Sequence, residues 1–199
     1  MQKDINYFKE TSHLYLPKKI TYLLIAEAPP NNKKNFFYHT GKEKGNYMFY
    51  QNIILAIYGV DYIGEYELKK TLLEKFKSDG YFLIDSIEYP FEKDTSDSNK
   101  KRIILDEFKN LVNRIKSYND KGIIDKNTKI VLMKNLVCEV LKERITKNVD
   151  IIFDKTQDIF CIPFPRLRPS DELFVQRLRE ILNIKFDSEK KDCTKNERI

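Results

Sequence analysis

Two acidic residues lie close to the ends of apolar runs that read as buried strands. Glu27 follows residues 20–26 (ITYLLIA), and Asp85 lies within a second run, residues 81–87 (YFLIDSI). Such continuous β-forming runs are typical of strands buried on both faces. A carboxyl group there is costly to bury unless it is hydrogen-bonded or lies at the rim. Each residue is therefore a candidate site carboxylate, and the alternative for each is a structural cap or ion pair.

The loop after Glu27 combines aromatic rings with positive charge. Residues 36–39 read FFYH, and residues 31–46 hold four lysines against one glutamate. Rings of this kind form a stacking surface for a base, while nearby lysines contact phosphates. The alternative is a satellite of the core. Because three consecutive aromatic side chains cannot all face inward in an extended segment, we expect at least one of these rings at the surface.

Two further loops follow apolar runs. Residues 88–91 (EYPF) add a carboxylate and aromatic surface after the second run, and residues 163–170 (PFPRLRPS) follow the last one. Three prolines stiffen the latter loop and keep it out of a helix. Leu167 between Arg166 and Arg168 is arranged like a wedge that enters a base stack with flanking cations on phosphates. The alternative is that Leu167 folds back onto the core.

These loops share one edge of the molecule if the chain forms a parallel sheet. Apolar strand-like runs occupy residues 20–26, 81–87, 129–133 and 158–162, and helical patterns occupy residues 46–58, 65–79, 99–118, 136–145 and 170–182. Asn46 and Ser170 are placed to cap helices, and Gly59 is placed to end the first of them. The alternation predicts an α/β fold, a three-layer αβα sandwich with a four-stranded parallel sheet. Ligands of such sheets bind at the carboxyl ends of the strands.

Composition narrows the class of protein. The chain has 199 residues and a formal net charge of +6, and four of its eight arginines fall within residues 166–179. We expect one domain over residues 1–199, with residues 1–17 as a packing arm or short helix and residues 187–199 as a polar tail. No apolar run approaches the roughly 20 residues of a spanning helix. No signal peptide is recognisable, so a cytoplasmic protein without membrane contact is expected.

Cysteine, histidine and glycine usage excludes several cofactor classes. The three cysteines form no CxxC pair, and their odd number argues against a disulfide framework. Two histidines are too few for a Cys/His zinc site, although a carboxylate Mg²⁺ site stays open. The six glycines form neither GxGxxG nor GxxxxGK[ST]. Dinucleotide-dependent dehydrogenases and P-loop NTPases are therefore not leading candidates for the class of this protein. We expect no metal or redox cofactor.

Taken in order, the loops resemble those of the uracil-DNA glycosylase superfamily. The segment of residues 26–30 (AEAPP) is similar to that family's first motif, which reads GQDPY or GEAPG in different branches. The resemblance implies that family's parallel sheet, DNA as partner, and hydrolysis of an N-glycosidic bond on a flipped base. It implies Glu27 and Asp85 as catalytic residues, base-binding residues Phe36, Phe37, Tyr38, His39 and Glu88, and DNA-binding residues Arg166, Leu167, Arg168, Lys33 and Lys34.

Departures from the family pattern shape the expected substrate and rate. Asp85 stands where the family has Asn, and an ionised carboxylate accepts hydrogen bonds but donates none, so an amino-bearing base suits it better than uracil. The last loop carries Pro163 and Phe164 where the family has a histidine. Losing one electrostatic donor costs ~10²–10³ in rate. The open alternatives are a slow or altered glycosylase, a non-catalytic nucleic-acid-binding relative, and an enzyme acting on free nucleotides.

Overall fold

The computed structural model describes residues 2–42, 45, 47–61, 64–149, 159–165 and 171–184. These residues form four strands, β1 (Tyr22–Ala26), β2 (Tyr81–Asp85), β3 (Lys129–Met133) and β4 (Ile159–Ile162). Seven helices occur in the same part of the chain: α1 (Gln2–His13), α2 (Met48–Tyr58), α3 (Tyr66–Ser78), α4 (Asp97–Asp106), α5 (Phe108–Asp120), α6 (Asn135–Val149) and α7 (Glu172–Leu182). A 3₁₀ turn, Lys33–Asn35, follows β1.

The four strands form one parallel sheet in the order β2-β1-β3-β4. In β1, Tyr22 is in register with Tyr81 of β2 and with Lys129 of β3. The apolar residues of β1 and β3 are buried, as expected for central strands covered on both faces. The predicted α/β class and the four parallel strands are confirmed.

The helices fall into two groups that fit a three-layer arrangement. Helices α4, α5 and α6 contact one another, whereas α2 contacts α7. Right-handed crossovers explain the grouping. Across the sheet, the chain moves one way from β1 to β2 and the opposite way from β2 through β3 to β4, so the two sets of connecting helices lie on opposite faces. The connections from β1 and from β3 therefore leave toward opposite faces.

Helix boundaries follow the predicted patterns with two corrections. The single helix predicted over residues 99–118 is instead α4 and α5, which meet at Glu107. The apolar periodicity runs through both helices and carries no sign of the break. Helix α7 is capped by Asp171, whose side chain accepts from the Phe174 amide at 3.3 Å. The predicted caps Ser170 and Asn46 lie outside the described residues, while Gly59 ends α2 with a φ of 69° as predicted.

A disulfide joins Cys138 of α6 to Cys161 of β4, with their Cα atoms 5.7 Å apart. The odd number of cysteines argued against a disulfide framework, and this bond was not predicted. An odd count leaves one cysteine over, Cys193, which lies outside the described residues, but it does not prevent the other two from pairing. The β3–α6–β4 unit brings residues 23 positions apart to one place, which spacing alone does not reveal.

The predicted N-terminal arm is helix α1, which packs on the loop after β1. Its Phe8 is buried, and its ring centroid lies 4.9 Å from that of Phe36. Among the described helices none is long and apolar enough to cross a membrane.

Candidate functional site

The carboxyl ends of β1 and β3 form the switch point of the sheet. These strands are neighbours, and the connections that follow them leave toward opposite faces, so a crevice opens between them. Glu27 follows β1 and Lys134 follows β3, and the Glu27 Oε2 and Lys134 Nζ atoms are 2.7 Å apart. The crevice is therefore bridged by a carboxylate–ammonium pair between residues 107 positions apart.

Lys134 has an unusual backbone conformation for a residue with a side chain. Its φ is 98°, in the region that favours glycine. The Lys134 amide donates to the Ile162 carbonyl at 2.8 Å, and the Cys138 amide donates to the Lys134 carbonyl at 3.0 Å. These bonds fix the turn from β3 into α6. Strained positions of this kind concentrate at functional sites, and here the turn directs the ammonium group toward Glu27.

Glu27 is held by its main chain and keeps one carboxyl oxygen available. The Ser86 hydroxyl donates to the Glu27 carbonyl, and the Ser86 amide donates to the Ala26 carbonyl at 2.8 Å. The Glu27 side chain is 17% exposed. Its Oε1 atom is buried and has no hydrogen-bond partner among the described residues. One oxygen thus binds Lys134, and the other is left for a water molecule or ligand.

Asp85 ends β2 beside Glu27 and stays partly exposed to solvent. Arg114 of α5 fixes this strand end, since its Nη2 donates to the main-chain carbonyls of Asp85 at 2.8 Å and Ser86 at 3.0 Å. Burial raises the pKa of Asp85 to about 7, and the Glu27 carboxylate adds to the rise while the Arg114 guanidinium opposes it. Asp85 therefore takes up its proton at a higher pH than an exposed aspartate does.

A cavity of about 220 Å³ lies beside the two carboxyl groups. Glu27, Asp85, Phe36 and Phe37 all line it. Its other lining residues are Ala26, Ala28, Pro30, Asn35, Met48, Phe49, Leu83, Phe164 and Pro165. The volume lies below the roughly 300–1,000 Å³ of drug-sized ligand pockets, so the cavity suits a compact ligand. We call this space the base cavity, after the ligand that is proposed for it below.

Aromatic rings form much of the wall of this cavity. The rings of Phe49 and Phe164 are stacked, with centroids 4.9 Å apart and planes 15° from parallel. The Phe37 ring contacts Phe49 across 6.2 Å between centroids. Flat apolar walls with a few polar groups are the usual composition of a site for a planar ligand.

The expectation that a ring of residues 36–38 lies at the surface was wrong. Phe36, Phe37 and Tyr38 are 4%, 3% and 0% exposed. The segment is not extended: it follows the 3₁₀ turn and bends, so all three rings reach the core. The Tyr38 hydroxyl accepts from the Leu83 amide at 2.7 Å and donates to the Leu83 carbonyl at 3.0 Å, which satisfies the edge of β2. Phe36 and Phe37 line the base cavity, and Tyr38 supports it.

Glu88 and His39 lie apart from the base cavity. Glu88 lines a second cavity of about 210 Å³, which shares Asp85 and Phe36 with the first and also contacts Arg114. His39 lies in an open groove and shares a hydrogen bond of 2.7 Å with the Tyr7 hydroxyl. The structure thus places these two predicted base-binding residues outside the lining of the base cavity.

Lysines line the groove that holds His39. Its lining residues are Tyr7, Asn31, Asn32, Lys33, Lys34, His39, Gly41 and Lys42. Asn35 and Phe36, the next residues along the chain, line the base cavity. The predicted cations Lys33 and Lys34 therefore line the groove and directly precede, in the chain, two residues that line the cavity. Arg166, Leu167 and Arg168 lie outside the described residues, while Phe164 and Pro165, just before them, line the cavity.

Sequence reasoning missed four residues that shape the site. Lys134 directly follows the third strand-like run, where functional residues are expected, but neither it nor Arg114 could be given a role, because their partners are far away in the sequence. Phe49 and Phe164 were each assigned to an element or loop without a role. The proline-bounded position of Phe164 after a strand was the one available hint.

Comparison with protein-family models, curated proteins and solved structures found no match for this chain. Within the described residues, no group of three His, Cys, Asp or Glu side chains is arranged to hold a metal ion. The function therefore has to be inferred from the site alone.

Proposed function

We propose that this protein is a divergent relative of the uracil-DNA glycosylase superfamily and hydrolyses the N-glycosidic bond of a base turned out of DNA. One observation carries the proposal. Glu27, Asp85 and the rings of Phe36 and Phe37 line one small cavity at the switch point of a parallel sheet. Enzymes that act on a base remove it from the stack into such a pocket, where rings stack on it and polar groups contact its edge.

Each group at the site has a defined part in the proposed reaction. The base stacks between the aromatic walls, and Asp85 binds its hydrogen-bonding edge. Glu27 orients a water molecule through Oε1 and accepts its proton as the water oxygen bonds to C1′ of the sugar. The C1′–N bond breaks, and the base leaves with the electron pair and is protonated from solvent. Lys134 holds the Glu27 side chain in place through their ion pair.

The lysines of the groove support a nucleic-acid substrate. Lys33, Lys34 and Lys42 line one groove, and the chain has a net charge of +6. Phosphate contacts supply much of the affinity for DNA and make it salt-dependent.

A panel of oligonucleotides tests the reaction. Single- and double-stranded DNA with uracil, hypoxanthine, xanthine or a methylated base is incubated with about micromolar enzyme, and abasic sites are revealed by alkaline cleavage. We expect product from at least one substrate and a ~10²–10³-fold slower reaction for Glu27→Gln. The matched control is Glu143→Gln on the exposed face of α6, which we expect to react like wild type. Absence of product from every substrate contradicts the proposal.

A second candidate is nucleic-acid binding without turnover. It is favoured by the Lys134–Glu27 pair, which occupies one oxygen of the carboxylate, and by the absence of histidine at residues 163–164. Binding that weakens steeply with salt and with Lys33→Ala and Lys34→Ala, in the absence of any abasic product, would select this candidate. Binding indifferent to salt would contradict both candidates.

A further inference from the structure

The ion pair between Lys134 and Glu27 differs from the other ion pairs of the described residues. Its two side chains are 28% and 17% exposed. In every other ion pair within the described part of the chain, one partner is more than half exposed. Exposed pairs of that kind contribute little and form readily between long side chains. The shielded pair at the carboxyl ends of two central strands is instead a fixed feature of the site.

The backbone at Lys134 indicates that the amine has a role beyond forming the turn. Its φ of 98° is one that glycine adopts without strain, and two main-chain hydrogen bonds hold it there. A glycine would therefore make the same turn at lower energy. The lysine side chain instead brings an amine to Glu27, which lines the base cavity. The strain is thus associated with the placement of this amine.

An amine beside a carboxylate has the two groups that imine formation requires. The amine must give up a proton before it can attack a carbonyl carbon, and the Glu27 Oε2 atom lies 2.7 Å from Lys134 Nζ to receive it. Lys69 is more deeply buried, but its Nζ has no hydrogen-bond partner among the described residues and lies against two tyrosine rings. Lys134 is therefore the better placed nucleophile.

The proposed hydrolysis would leave a carbonyl compound beside this pair. Removal of a base from DNA yields a deoxyribose whose open-chain form carries an aldehyde at C1′. In the proposed reaction the water molecule bound by Glu27 bonds to C1′, so the aldehyde forms next to the same carboxyl group. Lysine side chains form Schiff bases with carbonyl substrates. The flexible four-carbon stem of Lys134 allows its amine to reach this carbon.

We propose that Lys134 is a nucleophile that forms a Schiff base with the aldehyde of an abasic site, and that the DNA strand is then cleaved on the 3′ side of that site. This lyase activity rests on the proposed function in that the site binds DNA at a flipped sugar. It does not require that this protein removed the base.

The reaction consumes only the abasic strand and water. A Lys134 proton passes to Glu27, the amine lone pair bonds to C1′, and the carbonyl oxygen takes the π electrons and the proton from Glu27. Loss of water gives the protonated imine. The Glu27 carboxylate then removes a proton from C2′, the C–H electrons form a C2′–C3′ double bond, and the 3′ phosphate leaves with the electron pair of the C3′–O bond. Water hydrolyses the imine and releases Lys134.

The test uses the full chain and oligonucleotides, single-stranded and duplex, that carry a preformed aldehydic abasic site. Sodium borohydride reduces an imine to a stable amine, so we expect a covalent protein–DNA species on a denaturing gel and a modified peptide that contains Lys134. Without the reductant, we expect strand cleavage that needs no alkaline treatment. The matched control is an oligonucleotide with a tetrahydrofuran sugar, which lacks the aldehyde and should give neither product.

Three variants distinguish a nucleophile from a partner that only positions Glu27. Lys134→Arg keeps a positive charge beside Glu27, but a guanidinium stays protonated and forms no imine, so trapping and cleavage should be lost. Glu27→Gln keeps the amine and should slow cleavage by ~10²–10⁴-fold. The matched control is Lys129→Arg at the opposite end of β3, which should react like wild type. Thermal melts check that each variant is folded.

The outcomes separate this inference from the proposed function. If wild type gives neither a trapped complex nor cleavage of abasic DNA, the lyase activity is overturned, whatever base excision is found. Trapping that maps to another lysine, or that persists in Lys134→Arg, also overturns it. Because the modified peptide is mapped in wild type, this result does not depend on the folding of a variant. Trapping at Lys134 without excision of any base would support the lyase activity and contradict the proposed base excision.

Discussion

Asp85 and Lys69 are two ionisable side chains whose pKa values approach neutrality from opposite directions. Burial raises the pKa of Asp85 to about 7 and lowers the pKa of Lys69 to about 7, since the charged form loses part of its contact with water at Asp85 and nearly all of it at Lys69. The Asp85 carboxyl lines two cavities. The Lys69 ammonium lies 4.7 and 4.5 Å from the ring centroids of Tyr47 and Tyr50, and the residue is 2% exposed.

The difference shows that a shifted pKa is not in itself evidence of a site. Shifted groups are concentrated at functional sites, but packing alone also produces them. Lys69 Nζ has no hydrogen-bond partner among the described residues, and the faces of two rings close it off. Access to a cavity is what makes Asp85 the better candidate. Substitutions of Asp85, of Lys69 and of Phe37, whose ring lies between the cavity and the surroundings of Lys69, test this distinction.

The largest effect is expected at Phe37, which belongs to both regions. Its ring contacts Tyr50 and Phe76 at centroid distances of 5.2 and 5.4 Å, and it also lines the base cavity. We expect Phe37→Ala to reduce the free energy of unfolding by about 3–5 kcal/mol and to abolish ligand binding at the cavity. Urea denaturation followed by circular dichroism measures the loss. A loss below about 1 kcal/mol would mean that the two regions are not joined through this ring.

Replacing Lys69 should stabilise the protein. Between pH 7 and pH 10.5 the native state binds fewer protons than the unfolded chain, so the cost of burying the ammonium is full below pH 7 and fades as pH rises. We expect Lys69→Met to raise the free energy of unfolding by about 1–3 kcal/mol at pH 6. The gain should shrink by pH 9, as thermal melts at both values would show. Lower stability at pH 6 would indicate that the two tyrosine rings stabilise the charge.

Replacing Asp85 should stabilise the protein with the opposite pH dependence. Its pKa rises from 3.8 to about 7 on folding, so the native state binds more protons than the unfolded chain between these values. The loss of stability caused by burying the ionised carboxyl therefore grows as pH rises through this range and reaches its full size above pH 7. We expect Asp85→Asn to gain about 1–2 kcal/mol at pH 8, an amount reduced because the carboxyl retains some solvent contact.

Thermal melts at pH 4 and pH 8 measure this difference for Asp85→Asn against wild type. At pH 4 the two proteins should unfold at similar temperatures, since Asp85 is neutral in the native state. A gain of equal size at both pH values would show that the substitution acts through packing and not through charge.

Much of the fold and part of the site could be predicted from local pattern. The four strands follow from apolar runs, the end of α2 follows from Gly59, and the positions of Glu27 and Asp85 follow from where two of those runs end. Strand ends share an edge in any parallel sheet, so both carboxyl groups could be assigned to one site without knowledge of their contacts.

The remaining features depend on contacts between distant residues. The Lys134–Glu27 pair spans 107 positions and uses a backbone conformation that no sequence pattern announces. The inward rings of residues 36–38 required a bent segment, and the Cys138–Cys161 disulfide required the β3–α6–β4 geometry. Lys69 is the same kind of case, since a lysine in an amphipathic helix is normally assigned to the solvent face.

The smallest effect on stability, and the sharpest separation of site from core, is expected at Phe164. This ring is 41% exposed, although it stacks on Phe49 with a centroid distance of 4.9 Å and lines the base cavity. Because about two fifths of the Phe164 side chain is already exposed in the native state, Phe164→Ala should reduce stability by no more than about 1 kcal/mol. Its loss removes a stacking wall, so affinity for a base should fall about tenfold.

Leu173 supplies the matched control, since it is a similarly exposed apolar side chain, at 50%, on α7 and does not line the cavity. Leu173→Ala should show a comparable small change in melting temperature with unchanged base affinity. Equal effects of the two substitutions on affinity would remove Phe164 from the site. A decrease of several kcal/mol in the free energy of unfolding on Phe164→Ala would instead assign the ring to the core, as for Phe37. A ring whose role is to stack on a ligand contributes little to the stability of the ligand-free protein.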